Sequence, residues 1–234
     1  MLYYLIDKFL MPDFCDQISS YVNKNKKQIV FDVGCFKGTF SIRLKKKIPN
    51  SKFYLFDPSP ISQITNFNNN LLFPFSYFST ALGSSKKMIN YNFNSYLPSS
   101  GSSISFIVKN DSIWQFSRKL FSLNFSGKMT KIKVKQDSLD NFVKKKKIPR
   151  IDILKIDTEG YEMQVLLGAK KILKKTKIIQ IEVLDTKKKF KKKLEKTIKF
   201  LNLYGFKLVS KKRIWSVEIL SNIKCEELLL IKNN

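Results

Sequence analysis

Q-I-V-F-D-V-G-C-F-K-G, Gln28 to Gly38, is the stretch on which the fold of this 234-residue chain turns. Ile29, Val30, Phe31 and Val33 form an unbroken apolar run, suited to a central parallel strand buried on both faces. Asp32 lies at its end, and Gly34 and Gly38 bracket a tight turn into a helix that starts at Thr39. A strand, a glycine turn and a helix N-terminus bring backbone N–H groups close to a nucleotide-like ligand. The next strand, Lys52–Phe56, runs into Asp57, nineteen residues past Gly38. An acid at that spacing is placed to hydrogen-bond ribose hydroxyls. A dinucleotide fingerprint needs G-x-G-x-x-G, with a middle glycine that clears room for a pyrophosphate. Here the spacing is G-x-x-x-G, and Phe36 and Lys37 fill the turn. Asp32 is itself an anion where a pyrophosphate would sit, so the turn suits a ligand bearing an amine or sulfonium. The plain alternative is an α/β domain with a tight turn and no cofactor.

Composition narrows the classes further. The length suits one domain, or one domain with a modest insertion. Three cysteines (Cys15, Cys35, Cys225), odd in number and far apart, suggest neither a disulfide framework nor a zinc cluster. With no histidine in the chain, a histidine base, a histidine metal ligand and a Ser-His-Asp triad are all excluded. No run is long and apolar enough to span a bilayer. The opening M-L-Y-Y-L-I-D-K-F-L-M carries Asp7 and Lys8 and lacks signal-peptide features, so a cytoplasmic protein is expected. Peripheral contact of that apolar start with a membrane surface is the alternative. Forty-four basic against eighteen acidic residues give a net charge of +26. That charge fits an anionic partner such as RNA, an acidic glycan or a membrane surface. It fits equally a lysine-rich coding bias spread over solvated faces.

Along the chain, Leu2–Val22 reads as an amphipathic helical cap interrupted near Pro12, with Leu5, Phe9, Ile18 and Tyr21 as core contacts, and residues 1–27 form an N-terminal unit. Helices are expected over Thr39–Lys47 and Ile61–Leu72, and a third strand over Tyr77–Leu82, ending A-L-G. Met88–Phe93 alternates as a half-exposed strand. Ser95–Met129, with Pro98, Gly101 and a run of serines and aromatics, reads as an insertion or lid on the acceptor side. Lys131–Val134 is a strand, and Asp137–Val143 a short helix capped by Asp137 or Ser138. Arg150–Ile156 is a second buried strand, followed by D-T-E-G and a helix over Tyr161–Lys174. Then come a strand at Ile178–Val183, a basic helix at Phe190–Tyr204, a strand at Phe206–Ser210, and a pair formed by Ile214–Ile219 and Glu226–Ile231. The pattern predicts an α/β, Rossmann-like, mostly parallel seven-stranded sheet with a late antiparallel strand and helices on both faces, spanning residues 28–234.

Ligands of open α/β sheets lie beyond the carboxyl ends of the strands. Asp32, Asp57, Asp157, Glu159 and Glu182 are all expected there, converging on one cleft.

The pattern D-x-G-x-x-x-G with a downstream acid is similar to the S-adenosylmethionine site of Rossmann-like methyltransferases. More specifically, F-D-V-G-C-F-K-G-T-F-S, F-D-P-S-P, A-L-G, D-S-L-D-N-F, I-D-I-L-K-I-D-T-E-G-Y-E-M-Q-V-L-L-G-A and I-I-Q-I-E-V together resemble the FkbM family of class I methyltransferases. The resemblance runs from about Gln28 to Val183. It implies S-adenosyl-L-methionine as cofactor and methyl transfer to a hydroxyl, commonly of a sugar in a glycan, glycolipid or natural product. It puts Asp32, Gly34 and Gly38 on the methionine part of that cofactor, with Cys35, Phe36 and Lys37 in the same cofactor-binding turn. Asp57 and Pro58 fall beside the ribose, and Ala81, Leu82 and Gly83 beside the adenine. Asp157, Glu159 and Glu182 face the acceptor, with Asp157 or Glu159 as the base. Two alternatives stay open for that trio: a divalent cation held by all three, and for Glu159 a plain first-turn acid stabilised by a helix dipole. Two rival functions also stay open: an RNA 2′-O-methyltransferase, and a non-enzymatic nucleotide-binding module.

Overall fold

The computed structural model describes residues 14–62, 75–95, 102–105, 128–214 and 221–232, with a few single positions between 112 and 126. Five helices are described: α1 (Cys15–Ser20), α2 (Thr39–Lys47), α3 (Leu139–Lys145), α4 (Glu162–Leu167) and α5 (Lys187–Asn202). The strands are β1 (Gln28–Val33), β2 (Ser51–Phe56), β3 (Phe75–Phe78), β4 (Ala81–Leu82), β5 (Lys87–Asn94), β6 (Met129–Asp137), β7 (Ile151–Ile156), β8 (Thr176–Thr186), β9 (Phe206–Arg213) and β10 (Ile223–Lys232).

Seven of them form one sheet in the order β3-β2-β1-β7-β8-β10-β9. All neighbours run parallel except β10, which is antiparallel to both β8 and β9. This is the predicted doubly wound sheet with its late reversed strand. The apolar runs behave as their composition demands: every residue of β7 is buried, and so is β1 apart from Ile29. Side chains alternate between two cores. Phe31, Leu154, Ile156, Ile181 and Leu228 pack with α3, α4 and α5 on one face. Val30, Phe53, Ile153, Ile178 and Leu229 pack with α1 and α2 on the other. An aromatic stack anchors the first face, where Phe142 of α3 meets Phe56 and Phe78 edge-on at 4.8 Å. From β1 the order grows one way through β2 and β3, and the other way through β7 and β8. The reversal between β1 and β7 opens the crevice in which such sheets bind ligands.

Several local expectations need correction. Tyr77–Leu82 is not one strand: β3 ends at Phe78, and Ala81–Leu82 join β6 and β5 in a separate three-stranded sheet. The helix expected to run to Lys174 stops at Leu167, because Gly168 turns the chain and Ile172–Lys175 forms a 3-10 turn. A side chain at Gly168 would stand 1.9 Å from the carbonyl oxygen of Gly83, so this glycine joins the two sheets by close backbone approach. The closing antiparallel partner of β10 is β9, not Ile214–Ile219; β9 extends to Arg213, and residues 215–220 lie outside the described set. Tyr21, expected in the core, is exposed, whereas Ile18 is buried as expected. Of the two candidate caps for α3, Ser138 is the one used, its hydroxyl accepting from the Asn141 N–H at 3.2 Å. Leu5, Phe9, most of the expected Ile61–Leu72 helix and most of the insertion lie outside the described residues. No described helix is long and apolar enough to cross a membrane.

Candidate active site

The loop after β1 is wound by three left-handed residues, Gly34 (φ 79°), Phe36 (φ 41°) and Gly38 (φ 72°), and delivers the chain into α2. Gly34 is needed twice over. Its φ is one that side chains avoid, and a Cβ there would fall 1.7 Å from the backbone oxygen of Asp157. Asp157 is itself held by its N–H to the Val33 carbonyl at 2.9 Å. The glycine loop and the D-T-E-G loop therefore touch through backbone alone, at the point where the strand order reverses.

Asp57, just after β2, grips the glycine loop. Its carboxylate accepts from the N–H of Phe36 at 2.9 Å and of Ser59 at 2.8 Å. Burial pushes its pKa up to about 6, against the pull of those two N–H groups. The Ser62 hydroxyl adds a bond to the Phe36 carbonyl, and the Tyr77 hydroxyl donates to the Asp57 carbonyl. The Cys35 side chain belongs to the α1/α2 core, and burial raises its thiol pKa well above the usual range. Lys37 is exposed, its ammonium 5.6 Å from the centre of the Phe36 ring. Pro58 is half-buried in the turn after β2. Ala81 and Leu82 are buried in β4, and a Cβ on Gly83 would strike the Gln136 amide at 2.5 Å.

Asp32 is fully buried on the α2 face. One oxygen accepts from the Ser41 hydroxyl at 2.7 Å; the other, Oδ1, accepts no hydrogen bond among the described residues. Lys155 stands opposite it in the β1–β7 register, with Nζ 3.6 Å from Asp32 Oδ1 and 3.0 Å from Asp157 Oδ2. Burial raises the Asp32 pKa, and Lys155 opposes that rise. Burial would lower the Lys155 pKa, but Asp157, Asp32 and Glu227 outweigh it and raise it.

The D-T-E-G loop is organised by Glu162, the second acid of its E-G-Y-E run. One Glu162 oxygen accepts from the Thr158 N–H and hydroxyl and from the Gly160 N–H at 2.7 Å. The other pairs with Lys193 of α5 at 3.2 Å, and the same ammonium donates to the Gly160 and Leu184 carbonyls. Glu162 thus takes the first-turn position of α4 that had been one reading of Glu159. Glu159 sits earlier, in the turn, with φ 53°. Ser103, inside the insertion, donates to the Thr158 and Glu159 carbonyls. The insertion's two ends meet at Ser95 and Lys128, so it is a long β5–β6 connection tied back onto this loop.

Glu182 lies on β8 opposite Glu227 of β10, and both are buried. Burial first, then Asp157, Glu159, Glu162 and Glu227, push the Glu182 carboxyl well above the usual carboxylate range. Its neighbour Cys225 is likewise raised by burial and by Glu182. Asp157 and Glu159 thus lie close enough to act on the Glu182 carboxyl. The cation-site alternative finds no support: among the described residues no three His, Cys, Asp or Glu groups are arranged to hold a metal ion, and Asp157 is paired with Lys155.

Sequence reading named the acids but missed Ser41, Lys155, Glu162, Lys193 and Glu227. A signal existed for two of them. A lysine inside the apolar run R-I-D-I-L-K-I, and an acid pair beginning E-E-L-L-L, are charges where a buried strand has no ordinary use for them.

Comparison with known proteins agrees with this architecture. An rRNA methylase from Streptococcus thermophilus superposes with a TM-score of 0.52 at 13% identity, covering 97% of this chain and 99% of its own. TYW2 of P. horikoshii, solved in complex with MeSAdo, superposes at 0.50 with 10% identity, over 94% of this chain and 62% of its own. At such identities the likeness concerns the fold. No curated protein sequence is similar enough to count as a relative. The profile of the methyltransferase FkbM domain matches residues 32–208, well over half the chain and inclusive of Asp32, Asp57, Asp157, Glu159, Glu162 and Glu182. With that match laid over the β1–β7 crevice, the chain belongs to the FkbM methyltransferase family.

Proposed function

We propose that this protein methylates a hydroxyl group of a carbohydrate, in a glycan, glycolipid or natural product, with S-adenosylmethionine as donor. The observation that carries the reading is the placement of Asp32 and Asp57 around one glycine loop, in backbone contact with the Asp157–Gly160 loop. When bound, S-adenosylmethionine supplies an electrophilic methyl group on a sulfonium. The residues fit it. Asp32 Oδ1, buried and without a hydrogen bond among the described residues, suits the ligand's ammonium. Asp57 retains lone pairs for ribose hydroxyls beyond its two N–H bonds. Gly34, Cys35, Phe36, Lys37 and Gly38 supply the loop backbone, Pro58 stiffens the ribose side, and Ala81, Leu82 and Gly83 border the adenine.

On the acceptor side the chain orients the hydroxyl and takes its proton. Asp157 or Glu159 is the base. Glu182, its carboxyl pushed well up by burial, faces the same acceptor. Residues 95–129 form the acceptor-side insertion, supported by the Ser103 bonds to Thr158 and Glu159. Residues 1–27 form an N-terminal cap on the domain at 28–234, with Cys15 and Ile18 of α1 packed into its core.

The test is transfer of labelled methyl from S-adenosylmethionine to a panel of oligosaccharides and glycolipids, with RNA alongside. Base-stable methyl ether on a saccharide is expected. The net charge of +26 is what favours RNA instead. Label appearing only in RNA ribose, with affinity falling steeply as salt rises, would replace this reading. Failure of a folded sample to bind the cofactor would leave a non-enzymatic module.

A further inference from the structure

We propose that Lys155 is the built-in counter-ion of Asp32, presenting that carboxylate ready-charged to the ammonium group of a bound cofactor while its second contact fixes Asp157 on the acceptor side. This inference rests on the S-adenosylmethionine reading.

Four features support it. Lys155 is 8% exposed in a strand whose other residues are all buried, a costly place for an ammonium unless it is paired. It lies directly across the β1–β7 register from Asp32, so the backbone itself sets their approach. The two contacts are unequal. At 3.0 Å the lysine hydrogen-bonds Asp157, whereas at 3.6 Å it gives Asp32 Oδ1 charge without a hydrogen bond. The lone pairs of Oδ1 thus remain for a second donor, and Ser41 already occupies Oδ2. Finally, one ammonium faces three carboxylates, those of Asp157, Asp32 and Glu227. The crevice keeps an excess of negative charge in a chain of net charge +26, and a cationic ligand completes it. Asp57 and the Cys35 thiol face the same pair from β2 and the glycine loop, and the Phe40 ring of α2 lies 5.7 Å from the ammonium.

Without Lys155, Asp32 would be a buried carboxylate with no cation, and burial, no longer opposed, would favour its protonated form further. Protonated, it has no charge to offer. Raising the pH restores the charge, so the loss must depend on pH. A merely structural lysine would not produce that dependence.

The experiment titrates S-adenosylhomocysteine calorimetrically into wild type, Asp32→Asn, Lys155→Met and the double variant, at pH 7 and pH 9. Both values lie above the Asp57 titration near 6. The ratio to wild type at each pH cancels the ligand's own titration. Lys155→Met is expected to bind about tenfold more weakly than wild type at pH 7 and to recover most of that loss at pH 9, the direction expected of a carboxyl whose pKa burial raises. Asp32→Asn is expected to be weak at both. The double variant is expected to match Asp32→Asn within about twofold, because the lysine acts on the cofactor through that aspartate. An equal loss for Lys155→Met at both pH values overturns the inference, as does a double variant weaker than Asp32→Asn. If Lys155→Met fails to fold, the latter comparison decides alone. Wild type that is folded yet does not bind overturns the cofactor reading and this inference together.

Discussion

Asp57→Asn separates what Asp57 does for the fold from what it does for the ligand. At pH 7 the wild-type carboxyl is ionised although burial has raised its pKa from 3.8 to about 6. Holding the charged form in that place costs on the order of 3 kcal/mol relative to an unperturbed carboxyl. The asparagine removes that cost. In exchange, its amide can accept only one of the two N–H bonds now made by Phe36 and Ser59. The stranded N–H costs about 1–3 kcal/mol. The two effects nearly cancel, so the melting temperature is expected to stay within about 4 °C of wild type, at roughly 2–4 °C per kcal/mol for a chain this size. Ligand binding has no such compensation. A hydroxyl bonded to a charged acceptor contributes roughly 1.5–3 kcal/mol, so S-adenosylhomocysteine should bind about 10- to 150-fold more weakly to the variant by calorimetry at pH 7. The pH dependence has a definite sign. Asp57 binds its proton more tightly in the folded state, so its contribution to stability falls as pH rises from about 4 to 6. Ligand affinity moves the opposite way, weakening in wild type as pH drops through about 6 and staying flat in the variant. A melting point lower by 10 °C or more would refute the stability reasoning. Unchanged affinity would refute the ribose role.

Three further outcomes are expected. Gly34→Ala adds a Cβ 1.7 Å from the Asp157 oxygen at φ 79°, which should cost about 3 kcal/mol or more; thermal melting within 2 °C of wild type would show that the two loops part without cost. Glu162→Gln keeps the oxygen that collects the Thr158 and Gly160 N–H groups but loses the ion pair to Lys193. Calorimetric affinity for S-adenosylhomocysteine should hold within about threefold while methyl transfer drops at least about tenfold, and equal losses in both would mean that the loop serves the cofactor instead. Glu182→Gln replaces a carboxyl whose pKa burial pushes well up. Since the folded state binds that proton more tightly than the unfolded chain, the stability of wild type should fall relative to the variant as pH rises above the usual carboxylate range, read as a widening gap between their melting temperatures; a constant gap would mean that burial does not raise the Glu182 carboxyl.

What could be read from the chain itself were features whose physics is local. Gln28–Gly38 is an apolar run closed by glycines, and a strand buried on both faces followed by a left-handed turn is the structure such a run can form. The same holds for R-I-D-I-L-K-I with D-T-E-G after it. Spacing along the chain was enough to bring Asp32, Asp57, Asp157 and Glu182 to one end of the sheet, because successive parallel strands all carry their carboxyl ends to the same edge. Turn chemistry was less legible. Gly168 follows α4 where a Cβ would meet the Gly83 carbonyl, a contact 85 residues away in sequence. The break between Phe78 and Ala81 depends on β6, which captures Ala81 and Leu82 into the smaller sheet.

The roles of the charged residues were decided by the tertiary structure. An acid in a sequence has no partner until strands are placed in register. Only when β7 lies beside β1 does Lys155 meet Asp32, and only when α5 packs on its face does Lys193 reach Glu162. Burial is likewise a property of the assembled sheet. It separates Asp57, raised to about 6, from Glu182, pushed well up by burial and by four neighbouring acids, though both are acids near the carboxyl ends of strands. The sequence by itself determined the sheet, its switch point and the acids that gather there, since hydrophobic period and glycine placement act within a few residues. The tertiary structure alone decided which of those acids is charged, which is paired and which organises a loop, since Coulomb interactions and desolvation depend on distances that no spacing along the chain contains.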